Sequence, residues 1–112
     1  MQPIQPAQLA AWLATDASST SPERPLLLDV REDWERQLAR IEDSIHIPMN
    51  EIPARFEEVI DGDRPIVCYC HHGMRSMQVA LFLERRGSRQ AYNLVGGIDA
   101  WARTVDAGCA RY

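Results

Sequence analysis

Ile66 to Arg86 reads I-V-C-Y-C-H-H-G-M-R-S-M-Q-V-A-L-F-L-E-R-R and constrains the fold more than any other stretch. A β-branched apolar run ends in Cys70. A short loop with two histidines, a glycine and an arginine follows, and an apolar helical pattern begins at Ser76. Strand, tight loop and helix in that order gather backbone N–H groups around one anion at a helix N-terminus. Here the anion is the sulfur of Cys70 itself, and the rest of the chain reads as its scaffold.

The flanking segments alternate in the same way. Gln5–Ala14 carries Leu9, Trp12 and Leu13 at helical spacing, with Pro6 suited to a first turn. Thr15–Pro25 is a polar surface connection. Leu26–Val30 reads as a central strand apolar on both faces. Glu32–Leu38 reads as a short helix with Trp34 and Leu38 on one face, and Ile45–Ile47 as a strand. Asn50 reads as the cap of a helix over Glu51–Ile60, where Ile52, Phe56, Val59 and Ile60 form a stripe. After the Asp61–Pro65 turn come the strand Ile66–Cys70, a helix over Ser76–Arg86 stopped by Gly87, a strand Tyr92–Val95 and a helix Ile98–Thr104. The tail Val105–Tyr112 reads as irregular. Alternating strands and helices predict a single α/β domain over residues 1–112, with a mainly parallel central sheet of about five strands and helices on both faces. Sites in such sheets lie at the carboxyl ends of the strands, which places Asp29 and Cys70 on one edge.

Composition narrows the chemistry. The net charge of −4 argues against a nucleic-acid surface. All 12 basic residues are arginine, which excludes Schiff-base or P-loop lysine chemistry. No stretch approaches the roughly 20 apolar residues of a membrane span. The N-terminal sequence has no signal-peptide pattern, so a cytoplasmic location is expected. Three cysteines, Cys68, Cys70 and Cys109, do not suggest a disulfide framework. A monomer or weak dimer is the expected state.

A thiol reacts as its thiolate, which an ordinary cysteine forms only in small part at neutral pH. Loop amides from His71 to Arg75, the positive end of the following helix and the Arg75 guanidinium all favour the anion. Gly73 supplies backbone freedom. Cys68 reads as a buried structural thiol, Cys109 as an incidental surface cysteine or a resolving thiol, and Trp34 and Trp101 as core. Cys70, His71 and His72 offer three metal donors in a row. Consecutive residues rarely converge on a tetrahedral ion, and no second pair has zinc-site spacing, so no metal is expected.

The loop Cys70–Ser76, the L-L-L-D-V-R-E run at Leu26–Glu32 and N-L-V-G-G-I-D-A-W at Asn93–Trp101 together resemble the rhodanese-like single-domain sulfurtransferases. The resemblance spans Leu26–Trp101. It departs from the family at Ala39–Ile41 and Asp43–Ser44, where Gly-His-Ile and a later Gly-Ala are common. The loop and the closing segment are also similar to rhodanese domains fused to enzymes that activate sulfur-carrier proteins. The resemblance implies that Cys70 is the nucleophile and carries a persulfide. His71, His72, Gly73, Met74 and Arg75 would form the substrate-binding loop, and Asp29, Arg31 and Ser76 would support it. It implies thiosulfate or a persulfide as donor; cyanide, a thiol or a sulfur-carrier protein as acceptor; and no cofactor.

Two rival readings remain. Phosphatases of the protein tyrosine and dual-specificity classes, and arsenate reductases, also use a cysteine, a loop of amides and an arginine. Their loop is one residue longer than the four that separate Cys70 from Arg75. A shorter loop makes a smaller cup, which suits sulfur better than a tetrahedral phosphate. The other rival, a non-catalytic module that kept the fold, does not account for the retained cysteine and arginine.

Overall fold

The computed structural model describes residues 1–15, 24–60 and 64–112. The polar connection at Thr15–Pro25 and the turn at Asp61–Pro65 fall largely outside these. The elements in chain order are β1 (Gln2–Ile4), α1 (Pro6–Thr15), β2 (Leu26–Asp29), α2 (Asp33–Leu38), β3 (Ile45–His46), α3 (Ile52–Arg55), β4 (Ile66–Tyr69), α4 (Met74–Arg85), β5 (Ala91–Leu94) and α5 (Gly97–Thr104). The strands form one five-stranded sheet in the order β1-β5-β4-β2-β3, with every pair parallel. No helix among the described residues is long and apolar enough to cross a membrane.

The period of two along each strand sorts side chains between two cores. Leu28, Ile66, Cys68, Cys70 and Ala91 face α3 and α4, where Ile52, Val79 and Leu83 meet them. Leu27, Val67, Tyr69 and Leu94 face α1 and α5, where Leu9, Ile98 and Trp101 meet them. β4 is the central strand, and all four of its residues are buried. Because β2 pairs with it Asp29 to Tyr69, Asp29 and the residue after Tyr69 emerge at the same edge.

Four local expectations need correction. The helix expected over Glu51–Ile60 is broken: a 3-10 turn at Met49–Glu51, α3, and a second 3-10 turn at Phe56–Glu58. Asn50 is exposed and caps nothing, because the first turn already begins at Met49, directly after Pro48. The stripe of Ile52, Phe56, Val59 and Ile60 still packs on one core. α4 starts at Met74 rather than Ser76, because Gly73 at φ 105° makes the turn and releases Met74 and Arg75 into helix. Trp101 is core, but Trp34 is 59% exposed and Leu38 is 51% exposed. The inward face of α2 carries Glu35 instead. β1, three residues containing Pro3, was not anticipated; as an edge strand it tolerates the proline.

Candidate active site

The loop after β4 is held at its start by α5. Ile98 N–H donates to the Cys70 carbonyl (2.9 Å) and Asp99 N–H to the His71 carbonyl (3.1 Å). These are the orphan donors of the helix N-terminus, used here to fix a loop. A Cβ at Gly97 would collide with both carbonyls, so this contact requires glycine.

From that anchor the chain curls around Cys70. Gly73 N–H points at Sγ at 3.1 Å, Ser76 N–H at 3.4 Å, and the Ser76 hydroxyl lies 3.3 Å away. The expectation had the amides of His71 to Arg75 converging; the N–H groups that reach Sγ are those of Gly73 and Ser76. Cys70 is buried at the floor of this cup. Asn93, on β5, ties it together: its Oδ1 accepts from the Ser76 hydroxyl (2.5 Å) and its Nδ2 donates to the Gly73 carbonyl (3.1 Å). The Ser76 hydroxyl has one proton for two acceptors, Asn93 Oδ1 and Sγ. The donors facing the sulfur are therefore all uncharged dipoles, and Cys70 sits at the N-terminus of the 12-residue α4.

The full charges stand one layer out. Arg75 turns from the cup and grips Glu35 with both terminal nitrogens, at 2.6 and 2.9 Å. Glu35 is buried, and its Oε1 also caps α2 by accepting the Glu32 N–H at 3.0 Å. Burial would raise its carboxyl pKa; the Arg75 hydrogen bonds, then those of Tyr112 and Glu32, outweigh this and hold it down to about 2. Asp29 and Arg31 form a second, fully buried pair through Nε (2.8 Å) and Nη2 (2.7 Å). Asp29 also accepts from Arg36 (3.2 Å). Asp29 was expected to brace the cysteine loop itself; its bonds go to Arg31 and Arg36, and so to the α2 side of the site. Arg31 passes the bracing on, donating to the carbonyls of Glu35 and Ala39.

The expected loop residues divide by exposure. His71 is half-buried and stacks on His72 at 3.9 Å. Burial first, then the neighbouring His72, push its imidazole below the usual histidine range. Met74 is 68% exposed on the outer rim. Cys68 lies fully buried on the same face as Cys70; burial and then the negative charge of Cys70 push its thiol up, so it stays protonated and inert. Cys109 is half-buried against the α1/α5 core rather than on the open surface. No three of His, Cys, Asp and Glu among the described residues group as a metal site.

Three members of the site were not read from the sequence. Glu35 lay in the short helix expected over Glu32–Leu38 without a role, although Glu32 and Glu35 at capping-box spacing were a usable signal. Asn93 stood at the head of a recognised segment without a role. Tyr112 fell in a tail with no periodicity, yet its hydroxyl donates to Glu35 (2.6 Å) and accepts from Arg31 (2.9 Å).

Comparison with known proteins places the chain in a family. The rhodanese-like domain profile matches residues 6–104. A sulfurtransferase of Allochromatium vinosum is 43% identical over 81 residues, covering 72% of this chain and 75% of that one. The thiosulfate sulfurtransferase GlpE of Haemophilus influenzae is 33% identical over 78 residues, 70% of this chain and 73% of that one. A crystal structure of a rhodanese-like domain protein from Staphylococcus aureus superposes with a TM-score of 0.80 at 28% identity, covering 100% of this chain and 99% of that one.

Proposed function

We propose, from the premise that this chain belongs to the rhodanese-like family of sulfurtransferases, that it moves a sulfane sulfur from thiosulfate or a persulfide to a thiophilic acceptor through a persulfide on Cys70. The supporting observation is the cup itself: one sulfur ringed by two N–H groups and a hydroxyl at a helix N-terminus. The Cys70 thiolate attacks the outer sulfur of thiosulfate. The Sγ–S bond forms as the S–S bond to the sulfonate breaks, and sulfite leaves with the electron pair. With a persulfide donor the leaving group is a thiolate. The terminal sulfur then goes to cyanide, a thiol or a sulfur-carrier protein, and the Cys70 thiolate returns. The uncharged donors stabilise the anion in the manner of an oxyanion hole. Arg75 holds the loop against α2 through Glu35. The reaction needs no metal or organic cofactor, and the chain works in the cytoplasm as a monomer or weak dimer.

The phosphatase reading is less favoured, because the four-residue loop leaves a cup sized for sulfur. Intact-protein mass after incubation with thiosulfate tests the proposal. The expected result is a gain of one sulfur atom, removable by cyanide and absent in Cys70→Ser. No gain by the native protein, with efficient hydrolysis of p-nitrophenyl phosphate, would overturn it.

A further inference from the structure

We infer that Tyr112 is a positioning residue of the sulfur site, holding the cysteine loop in its cup from the outside; this rests on the sulfurtransferase reading above. Its ring lies flat on that of His71, with centroids 4.0 Å apart and planes within 10°. His71 is thereby sandwiched, because its other contact is the stack on His72. The two loop residues that follow the nucleophile are thus clamped by an aromatic ring from a segment distant in sequence. Trp34 abuts Tyr112 edge-on at 6.0 Å and supports it from the α2 side.

The hydroxyl does a second job. It donates to Glu35 and accepts from Arg31, and so bridges the two ion pairs of the outer wall. Glu35 in turn holds Arg75, two positions beyond Gly73, whose N–H faces the sulfur. Tyr112 therefore grips the loop near both ends: at His71 by its ring, and at Arg75 through Glu35. Between these grips lies Gly73, which must keep φ at 105° for its N–H to reach Sγ. The His71 Nε2 is buried with no hydrogen-bond partner. Polar bonding at that atom does not hold the ring; its two stacks and a hydrogen bond with the Tyr112 backbone do, so Tyr112 holds the imidazole by both its ring and its main chain. Around this imidazole stand His72, Glu35 and Asp99 as charged or titratable neighbours.

Tyr112→Ala and Tyr112→Phe separate the two grips. Sulfur loading of Cys70 from thiosulfate is followed by mass at 25 °C, with a melting curve for each variant showing that it is folded there. Tyr112→Ala is expected to load about tenfold more slowly, since small misplacements of reacting groups are costly. Tyr112→Phe keeps the stack and is expected to lose only about twofold by the same argument. The titration of His71, followed by NMR, supplies a readout independent of sulfur chemistry. It should move up toward that of an ordinary imidazole in Tyr112→Ala and stay in place in Tyr112→Phe. A Tyr112→Ala variant that loads within twofold of the native rate, or whose His71 titrates unchanged, would overturn the inference. If the native protein takes up no sulfur, the function reading fails, while the His71 titration still decides the role of Tyr112.

Discussion

The two walls of the cysteine loop are built on opposite electrostatic plans. The inner wall, made by the start of α4 and by Asn93, presents N–H groups and a hydroxyl to the sulfur and carries no full charge. The outer wall, made by β2, α2, Tyr112 and the Arg75 side chain, holds three guanidiniums, those of Arg31, Arg36 and Arg75, and two carboxylates, each paired. The difference shows what each kind of group is good for. Fixed dipoles can stabilise an anion without having to reorganise around it. Paired charges are poor sources of net stability but good determinants of geometry, because a carboxylate and a guanidinium fit in one bidentate arrangement.

The comparison can be broken at four points, in falling order of effect. Cys70→Ser should abolish sulfur uptake, while Cys68→Ala, two residues away on the same face, should leave it intact; mass spectrometry decides, and uptake lost in both would mean that β4 rather than the thiol had been tested. Asp29→Asn strips the buried Arg31 of its carboxylate and should destabilise the fold by about 3–5 kcal/mol in urea denaturation. A cost below about 1 kcal/mol would show that the outer wall is not held by this pair.

Acid should act mainly on the same wall. The Glu35 carboxyl is depressed from 4.5 to about 2 in the folded chain. Its contribution is therefore complete above pH 4.5 and is lost as pH falls toward 2. By linkage this amounts to about 3 kcal/mol, and Glu35→Gln should flatten that part of the stability–pH curve. His71, depressed below its ordinary 6.5, adds a loss of the same sign below that pH. The smallest effect is expected at the inner wall. Ser76→Ala removes one neutral donor to Sγ and one partner of Asn93, worth about 1–2 kcal/mol in transition-state stabilisation, or roughly tenfold in loading rate. An unchanged rate would assign the cup to backbone alone.

The same division governs what could be read from the sequence. Most of the inner wall is local: Cys70, Gly73 and Ser76 lie within seven consecutive residues, and the strand before them and the helix after them have clear periodicities; Asn93, 17 positions beyond Ser76, is the member that was missed. The outer wall joins residues far apart. Arg75 meets Glu35 across 40 positions, and Arg31 meets Tyr112 across 81. Nothing in single-sequence periodicity encodes such pairings. Hydrophobicity also misled at α2, where Trp34 and Leu38 are the natural inward choice. The structure buries Glu35 because a guanidinium and a tyrosine are waiting for it, and Trp34 is left to prop Tyr112. The α/β fold followed from alternation alone, but Asn50 and the broken segment after it show that an apolar stripe at helical spacing can pack on the core without a continuous helix beneath it.

The single proton of Ser76 has a consequence for turnover. In the proposed persulfide cycle the negative charge at the sulfur would differ between thiol, thiolate and persulfide, and Oγ, within reach of both Asn93 Oδ1 and Sγ, would serve each by rotating one O–H between them. The site would thereby follow the charge of the sulfur by turning one hydrogen, a motion that asks for no shift of a heavy atom. A solvent isotope effect that disappears in Ser76→Ala would be the kinetic trace of that motion.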